Sequence, residues 1–237
     1  MEYSKEHEAP FSSPSLPSNK WWSKDTVAIV TGANKGIGFA MVKRLAQLGL
    51  TVILTARDIE KGHKAIEELR NQGLDDVHFF RLDVSEPASI NTFVSWFARI
   101  FGALDILKLK NPNIKNILQS ENLSEKHIEA MVSSFLQNVK NGKWERQGWP
   151  ELWTDYAVSK LALNAYTRVL AKRYMGRGIS LNCFCPGFTQ TSMTRGKGTH
   201  TADDAADIGA RLALLPPEEL PSGRFYLSGT SIVNSKL

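Results

Sequence analysis

Tyr156 and Lys160 are the residues of this chain whose types and spacing best suit proton transfer. They lie four positions apart in a segment with a helical pattern, so both side chains share one helix face. A tyrosine can pass a proton to a carbonyl oxygen only when its pKa lies near the working pH, and an adjacent ammonium favours the phenolate. The pair therefore indicates carbonyl chemistry, although this spacing also occurs by chance on many helices.

A second segment, Thr31–Gly38, has the composition of a phosphate-binding turn. The β-branched residues before it predict a buried parallel strand, and a helical pattern follows it. Glycines let the backbone approach a ligand, and the free N–H groups of a helix start favour phosphate. The alternative is an ordinary strand-to-helix turn, because the glycine spacing alone is weak evidence. The candidate binding residues of this turn are Gly32, Asn34, Lys35, Gly36, Ile37 and Gly38.

Alternating strands and helices surround both motifs. The patterns predict strands at 27–30, 51–55, 77–82 and from 104, with helices at 37–48, 59–71 and after a Ser85 cap. Short loops between them predict an α/β fold, a single-domain, Rossmann-like, doubly wound parallel sheet with helices on both faces. Later segments predict a helix after Ser124, helices at 155–174 and 205–214, and strands at 179–185 and 224–227.

Length and composition narrow the class of protein. The 237 residues suffice for one large domain, and no apolar run is long enough to span a bilayer. The net charge of +5 is scattered along the chain, so nucleic-acid binding is a weak alternative. Cys183 and Cys185 share a strand face without further cysteines, which predicts neither a disulfide framework nor a metal site.

The N-terminal residues differ in composition from the rest of the chain. Residues 1–24 are rich in serine, proline and charge, which predicts a disordered arm from which Trp21 and Trp22 pack onto the domain. They contain no apolar core of a signal sequence, and we expect a cytoplasmic location.

Taken together, Thr31–Gly38 and Tyr156–Lys160 resemble the short-chain dehydrogenase/reductase family, over roughly residues 25 to 230. The resemblance implies an NADP-binding Rossmann-like domain at 25–237, with Tyr156 as proton donor and Lys160 as its activator. Asp83 and Val84 look like the family's adenine-contacting pair. The nicotinamide-side loop of the family is matched by Pro186, Gly187, Thr189 and Thr191.

The segment at 113–150 is similar to an extra helical segment of carbonyl-reductase-like members, a subgroup that includes plant menthone, neomenthol and salutaridine reductases. In those members it covers the face that others use for pairing, so the resemblance implies a monomer. The implied partner is a small apolar carbonyl or alcohol substrate, with neither nucleic acid nor a membrane.

The cofactor preference follows from the end of the second predicted strand. An acidic residue there would bind the ribose 2′-hydroxyl of NAD, but the chain has Arg57, whose forked cation suits a 2′-phosphate. Lys35 adds a second positive charge. The sequence therefore predicts NADPH, although Arg57 could instead be a solvated residue at a helix start.

The chain departs from the family after Leu107. Family members continue into Asn-Asn-Ala-Gly, a long helix and a fifth strand with the catalytic serine, whereas this chain continues with Lys108-Leu109-Lys110. We expect a fold that lacks one strand and one helix, as in a truncated isoform, and an unpaired sheet edge. Five serines are interpreted as caps, surface residues or helix-packing residues and not as replacements: Ser120, Ser124, Ser133, Ser134 and Ser159.

Two functions follow from these patterns. The first is an NADPH-dependent carbonyl reductase that interconverts a ketone or aldehyde and an alcohol. The second is a catalytically impaired or inactive variant that retains at most cofactor binding.

Overall fold

A computed structural model of the chain describes residues 16–101, 106–108, 123–147, 149, 154–216 and 222–227. These residues belong to two compact units. The larger unit contains the described residues of 16–108 and 186–216. The smaller unit contains those of 123–185 and 222–227. The predicted Ser120 lies outside the described residues.

The larger unit is built on a four-stranded parallel sheet. Its strands are β1 (Val27–Val30), β2 (Thr51–Ala56), β3 (Val77–Arg81) and β4 (Ile106–Lys108), in the order β3-β2-β1-β4. Every residue of β1 and β2 is buried, as expected for central strands covered on both faces. The parallel Rossmann-like sheet predicted from the sequence is confirmed.

Six α-helices lie within the described residues. They are α1 (Gly36–Gln47), α2 (Ile59–Arg70), α3 (Pro87–Ile100), α4 (Glu125–Lys140), α5 (Thr154–Arg173) and α6 (Ala202–Ala213). In the larger unit, alternate residues of β1 serve two cores, because successive side chains point to opposite faces. Ala28 and Val30 join the core that includes Met41 of α1. Val27 and Ile29 join the core that includes Phe93 of α3.

The residues just before β1 pack onto the larger unit. Trp22 is buried and donates a hydrogen bond from Nε1 to the Leu48 carbonyl at 3.1 Å. Trp21 donates from Nε1 to the Leu214 carbonyl at 3.0 Å. The two tryptophans therefore pack as predicted, and residues 1–15 of the predicted arm lie outside the described residues.

Helices α1 and α6 are joined by a small ion-pair network. Asp207 accepts from Arg44 Nε at 2.7 Å and from Arg211 Nε at 2.6 Å, and all three side chains are about seven-tenths buried. Small residues of α6 allow this close packing, since Ala206 and Ala210 are fully buried.

The smaller unit contains α4, α5 and a parallel pair of strands, β5 (Cys183–Cys185) and β6 (Phe225–Leu227). Its core joins Ile128 and Met131 of α4 to Leu161 and Ala165 of α5 and to Phe225. A short 3-10 helix, Glu145–Gln147, follows α4.

Three predicted boundaries are wrong, each for a local reason. Ser85 does not cap α3, because its N–H and hydroxyl both bind the Asp83 carboxylate and Pro87 starts the helix. The strand predicted at 179–185 begins only at Cys183, since the Leu181 N–H is taken by the Ser222 hydroxyl. Helix α6 begins at Ala202, three residues early, because Thr201 and Asp204 form a capping box.

The sheet edge at β4 matches the expected loss of a strand. β4 pairs with β1, and within the described part of the chain no strand pairs with its other edge. Helix α3 also exposes apolar side chains, with Val94 56% exposed and Ile90 and Ile100 alongside it. The buried aromatic side chains of α3 are Phe93 and Phe97.

Gly62 sets the distance between α2 and β3, because a Cβ there would overlap the Phe79 ring. Replacing a glycine in a helix interior by alanine usually stabilises the helix by up to about 1 kcal/mol. We predict instead that Gly62→Ala lowers the free energy of unfolding by about 1–3 kcal/mol, as overpacking does. Urea denaturation measures the change, with Lys64→Ala on the exposed side of α2 as control. An unchanged or higher stability would contradict the close contact.

Candidate active site

The glycine turn after β1 brings the start of α1 against the end of that strand. Gly32 and Gly36 adopt left-handed conformations, with φ of 61° and 59°. A Cβ at Gly38 would lie 2.8 Å from the Gly32 carbonyl oxygen and 2.9 Å from the Ala33 Cα. The Ala33 N–H donates to the Thr55 carbonyl at 2.9 Å, which fixes the turn to β2. The turn therefore requires glycine for conformation at two positions and for space at a third.

The first turn of α1 has the features of an anion-binding end. No side chain caps it, and it contains no acidic residue. The Asp58 carboxylate caps α2 and the Thr201 hydroxyl caps α6, whereas α3 and α4 have no side-chain cap, as α1 has none. An uncapped helix start leaves N–H groups and the positive end of the helix dipole for an anion. The end fits a phosphate-containing group, with Lys35 exposed beside it.

Arg57 and Asp83 follow neighbouring strands at the carboxyl edge of the sheet. Arg57 comes directly after β2, is exposed, and makes no salt bridge with any residue that the structure describes. The Asp83 carboxylate accepts hydrogen bonds from the Ser85 hydroxyl at 2.6 Å and the Ser85 N–H at 3.0 Å. These bonds, helped by the charges of Arg57 and Arg81, hold the Asp83 pKa below its ordinary value. Parallel α/β sheets bind ligands at this edge.

The other three predicted residues of the turn and edge differ in exposure. Asn34 is half-buried and Ile37 is buried in the helix start, so only backbone of Ile37 is available to a ligand. Val84 is exposed beside Asp83.

The loop at 186–200 returns to the glycine turn within the larger unit. Pro186 and Thr189 are buried, and Gly187 has a φ of 74°. A Cβ at Gly36 would lie 3.6 Å from Thr191 Cγ2, so the Thr191 methyl packs over the turn. The larger unit thus brings together all the predicted cofactor-binding residues except Tyr156 and Lys160.

Thr194 organises this loop and was not singled out from the sequence. Its hydroxyl donates to the Thr189 carbonyl at 2.8 Å and accepts from the Thr191 N–H at 3.0 Å. A threonine three residues after another is a turn signal that could have identified it.

Tyr156 and Lys160 lie in the first turns of α5, in the smaller unit. They share a helix face as predicted, and Lys160 Nζ lies 5.1 Å from the centroid of the Tyr156 ring. The ammonium therefore faces the ring as a cation–π pair. The Ser159 hydroxyl donates to the Tyr156 carbonyl at 2.8 Å within the same helix, and Ser159 is exposed.

The expected lowering of the Tyr156 pKa is wrong for this arrangement. Burial raises the pKa of the Tyr156 hydroxyl, and the charge that Cys185 carries when ionised raises it further. Burial also lowers the pKa of the Lys160 ammonium. The reason is geometric, because Lys160 lies over the ring while both groups lose water.

Three serines and two cysteines in the described part of the smaller unit were also considered as site residues. Ser124 occupies the N-cap position of α4, and Ser133 and Ser134 are exposed on that helix. Cys183 and Cys185 are free thiols.

Within the described residues, no cluster of three acidic, histidine or cysteine side chains could hold a metal ion. The helices in that part of the chain are also too short or too polar to cross a membrane.

Two family profiles match the sequence. The profile described as short chain dehydrogenase matches residues 26–142. The profile described as Enoyl-(Acyl carrier protein) reductase matches residues 144–216. Together they cover both the glycine turn and the Tyr156–Lys160 pair.

Individual relatives agree with the profiles. The (+)-neomenthol dehydrogenase of Arabidopsis thaliana is 30% identical over 84% of this chain and 95% of its own length. The Carbonyl reductase [NADPH] 1 of Rattus norvegicus is 28% identical over 84% of this chain and 95% of its own length. The solved structure of salutaridine reductase from Papaver somniferum is 28% identical, covers 85% of this chain and 99% of its own, and has a TM-score of 0.76.

The relatives are longer within the matched region. The alignment with the rat enzyme extends over 265 residues, whereas 84% of this 237-residue chain is about 199 residues. About 65 positions of the rat enzyme therefore have no counterpart here.

The contact at Gly38 makes a testable prediction. We expect Gly38→Ala to weaken NADPH binding at least tenfold, because the new methyl group must push α1 away from the Gly32 carbonyl. Fluorescence titration measures the binding, and thermal unfolding in parallel reports any loss of folded protein. Gln47→Ala, on the exposed side of the last turn of α1, is the control. Equal affinity in both variants would show that the turn does not hold the cofactor.

Proposed function

Because this chain belongs to the short-chain dehydrogenase/reductase family, we propose that it is an NADPH-dependent carbonyl reductase in which Tyr156 and Lys160 are the catalytic residues. The reaction interconverts a ketone or aldehyde and an alcohol. The observation that carries the catalytic part is the placement of Tyr156 and Lys160 on one face of the first turns of α5.

NADPH, when bound, supplies the hydride that adds to the carbonyl carbon. The turn from Gly32 to Gly38 holds the pyrophosphate through backbone N–H groups, and Lys35 and Arg57 bind the 2′-phosphate. Asp83 and Val84 contact the adenine. Pro186, Gly187, Thr189 and Thr191 border the nicotinamide.

Tyr156 supplies the other half of the reduction. As negative charge develops on the carbonyl oxygen, the Tyr156 hydroxyl donates its proton to that oxygen, and the product is an alcohol. The phenolate that remains is stabilised by the Lys160 ammonium. Since Nζ lies over the ring in this structure, this role requires Lys160 to turn toward the hydroxyl. The exposed face of Tyr156 suits an apolar carbonyl substrate that excludes water from the proton transfer.

A second candidate function is that of an impaired variant that binds cofactor with little or no turnover. Three observations support it: the edge of β4 that pairs with no described strand, the exposed apolar side chains of α3, and the missing positions relative to the rat enzyme. The three considered serines that the structure describes upstream of Tyr156 belong to α4 or its N-cap and not to a strand end: Ser124, Ser133 and Ser134. A substrate carbonyl would then lack the hydrogen-bond donor that the family's serine provides.

One pair of measurements separates the two candidates. NADPH binding is titrated by fluorescence, and NADPH oxidation is followed by absorbance with a panel of apolar ketones and aldehydes. Binding with turnover supports the reductase, and binding without turnover supports the impaired variant.

Mass spectrometry of the native protein adds a check, since peptides that cross Leu107 to Asn111 demonstrate that the shortened chain exists. The monomeric state and the cytoplasmic location stay predictions, which size-exclusion chromatography and fractionation test.

We predict that Tyr156→Phe lowers kcat by about 100-fold or more, because it removes the proton donor. NADPH affinity should stay within about twofold, since the phenyl ring keeps the packing. The matched control is Tyr166→Phe, because Tyr166 is on the same helix and is 38% exposed against 39% for Tyr156. Should Tyr156→Phe turn over as fast as the control, Tyr156 is not the donor.

We predict that Arg57→Gln raises the Kd for NADPH by at least about tenfold, because charge-assisted hydrogen bonds contribute about 1.5–3 kcal/mol each. The Kd for NADH should not rise, since NADH has no 2′-phosphate. Arg70→Gln, at the exposed end of α2, controls for the loss of one positive charge. An equal loss of affinity for both cofactors would place Arg57 outside the 2′-phosphate site.

A further inference from the structure

We propose that the smaller unit contains a second ligand site, a cavity bordered by α5, β5 and the residues before β6 that binds a small oxyanion of the phosphate class. The cavity has a volume of about 120 Å³. A water molecule takes about 30 Å³ of liquid, so this space holds roughly four waters or one tetrahedral anion. The site goes beyond the proposed reductase function and uses none of its residues.

The Asn164 side chain is the observation that points to a ligand. It lines the cavity and is only 2% exposed. Neither its Nδ2 nor its Oδ1 has a hydrogen-bond partner within the part of the chain that the structure describes. A buried amide without partners bears the full loss of its water contacts, so a polar group inside the cavity would restore them.

Positive charge lines the same cavity. Arg168 lies one turn after Asn164 on the same face of α5, and Arg224 directly precedes β6. The charged side chains among the described lining residues are these two arginines. Guanidinium groups bind oxyanions through paired N–H donors, which favours an anion over a cation or a neutral ligand.

The backbone around Arg224 is held in place. The Gly223 N–H donates to the Leu181 carbonyl at 2.7 Å, and the Arg224 N–H donates to Asn182 Oδ1 at 2.9 Å. Gly223 has a φ of 79°, a conformation that glycine adopts without strain. The corner that presents Arg224 is therefore built before any ligand arrives.

One acceptor in the cavity favours phosphate over sulfate. Asn164 Oδ1 has no hydrogen-bond donor within the described part of the chain. The Thr167 hydroxyl donates to the Leu163 carbonyl at 3.0 Å and also hydrogen-bonds the Cys183 side chain, so it already has partners. Hydrogen phosphate carries a P–OH donor at neutral pH that can satisfy Asn164 Oδ1, whereas sulfate carries none.

Isothermal titration calorimetry of the full chain with inorganic phosphate tests the site, at constant ionic strength set by chloride. We expect one phosphate to bind, with sulfate at least about tenfold weaker. Arg168→Gln and Arg224→Gln should each weaken phosphate about tenfold or more. Asn164→Leu, of similar volume, should abolish the preference for phosphate over sulfate. Arg177→Gln, in the same unit but outside the cavity, is the control and should bind phosphate as the original chain does.

The proposed cofactor site could also take up phosphate, so Arg57→Gln is titrated in parallel. Binding that persists in Arg57→Gln and weakens in Arg224→Gln supports the cavity. Three results overturn the proposal: binding that weakens in Arg57→Gln but persists in Arg224→Gln, equal heats with sulfate, and no phosphate binding at all. In each case the cavity holds only water. Arg224 is exposed, so this variant tests the site even if Asn164→Leu fails to fold. In the supporting case, competition by glycerol phosphate assigns an organic monoester, and its failure assigns free phosphate.

Discussion

The close approach of two backbone segments at Gly38 is the contact on which the larger unit depends. With the Gly32 carbonyl and Ala33 within 3 Å of where a side chain would start, α1 can begin directly after β1 and lie flat on the sheet. That placement lets Met41 and Leu45 fill the core over β1 and β2. It also directs the uncapped start of α1 toward the carboxyl edge of the sheet, where Arg57 and Asp83 emerge. Packing and ligand chemistry therefore share one geometric requirement.

Much of this arrangement could be predicted from local pattern. A β-branched run followed directly by glycines is compatible with few structures other than a buried strand and a tight turn. The sequence therefore predicts β1 and the start of α1 within one residue. The less regular parts were set by single side-chain contacts. Serine is a common N-cap residue, but the Ser85 hydroxyl donates to the Asp83 carboxylate instead. Helix α6 begins earlier than predicted because Thr201 and Asp204 form a capping box. Such competition between nearby polar groups depends on geometry that spacing does not reveal.

The Tyr156–Lys160 pair shows a different limit of sequence reasoning. The shared face of Tyr156 and Lys160 follows from helical periodicity, whereas the direction of the Tyr156 pKa does not. It depends on how much water each group loses and on whether Nζ lies near the hydroxyl or over the ring. The same holds for Asn164, whose spacing from Arg168 was visible in the sequence but whose burial without partners was not.

The exposed apolar side chains of α3 have a consequence for the life of this protein in a cell. Val94, Ile90 and Ile100 present to solvent the kind of surface that chaperones and proteases use to recognise incompletely folded chains. In cells, a change of about 1–2 kcal/mol in the free energy of unfolding can change the abundance of a protein several-fold. The packing of α3 therefore bears on how much of the chain is present, independently of any site chemistry.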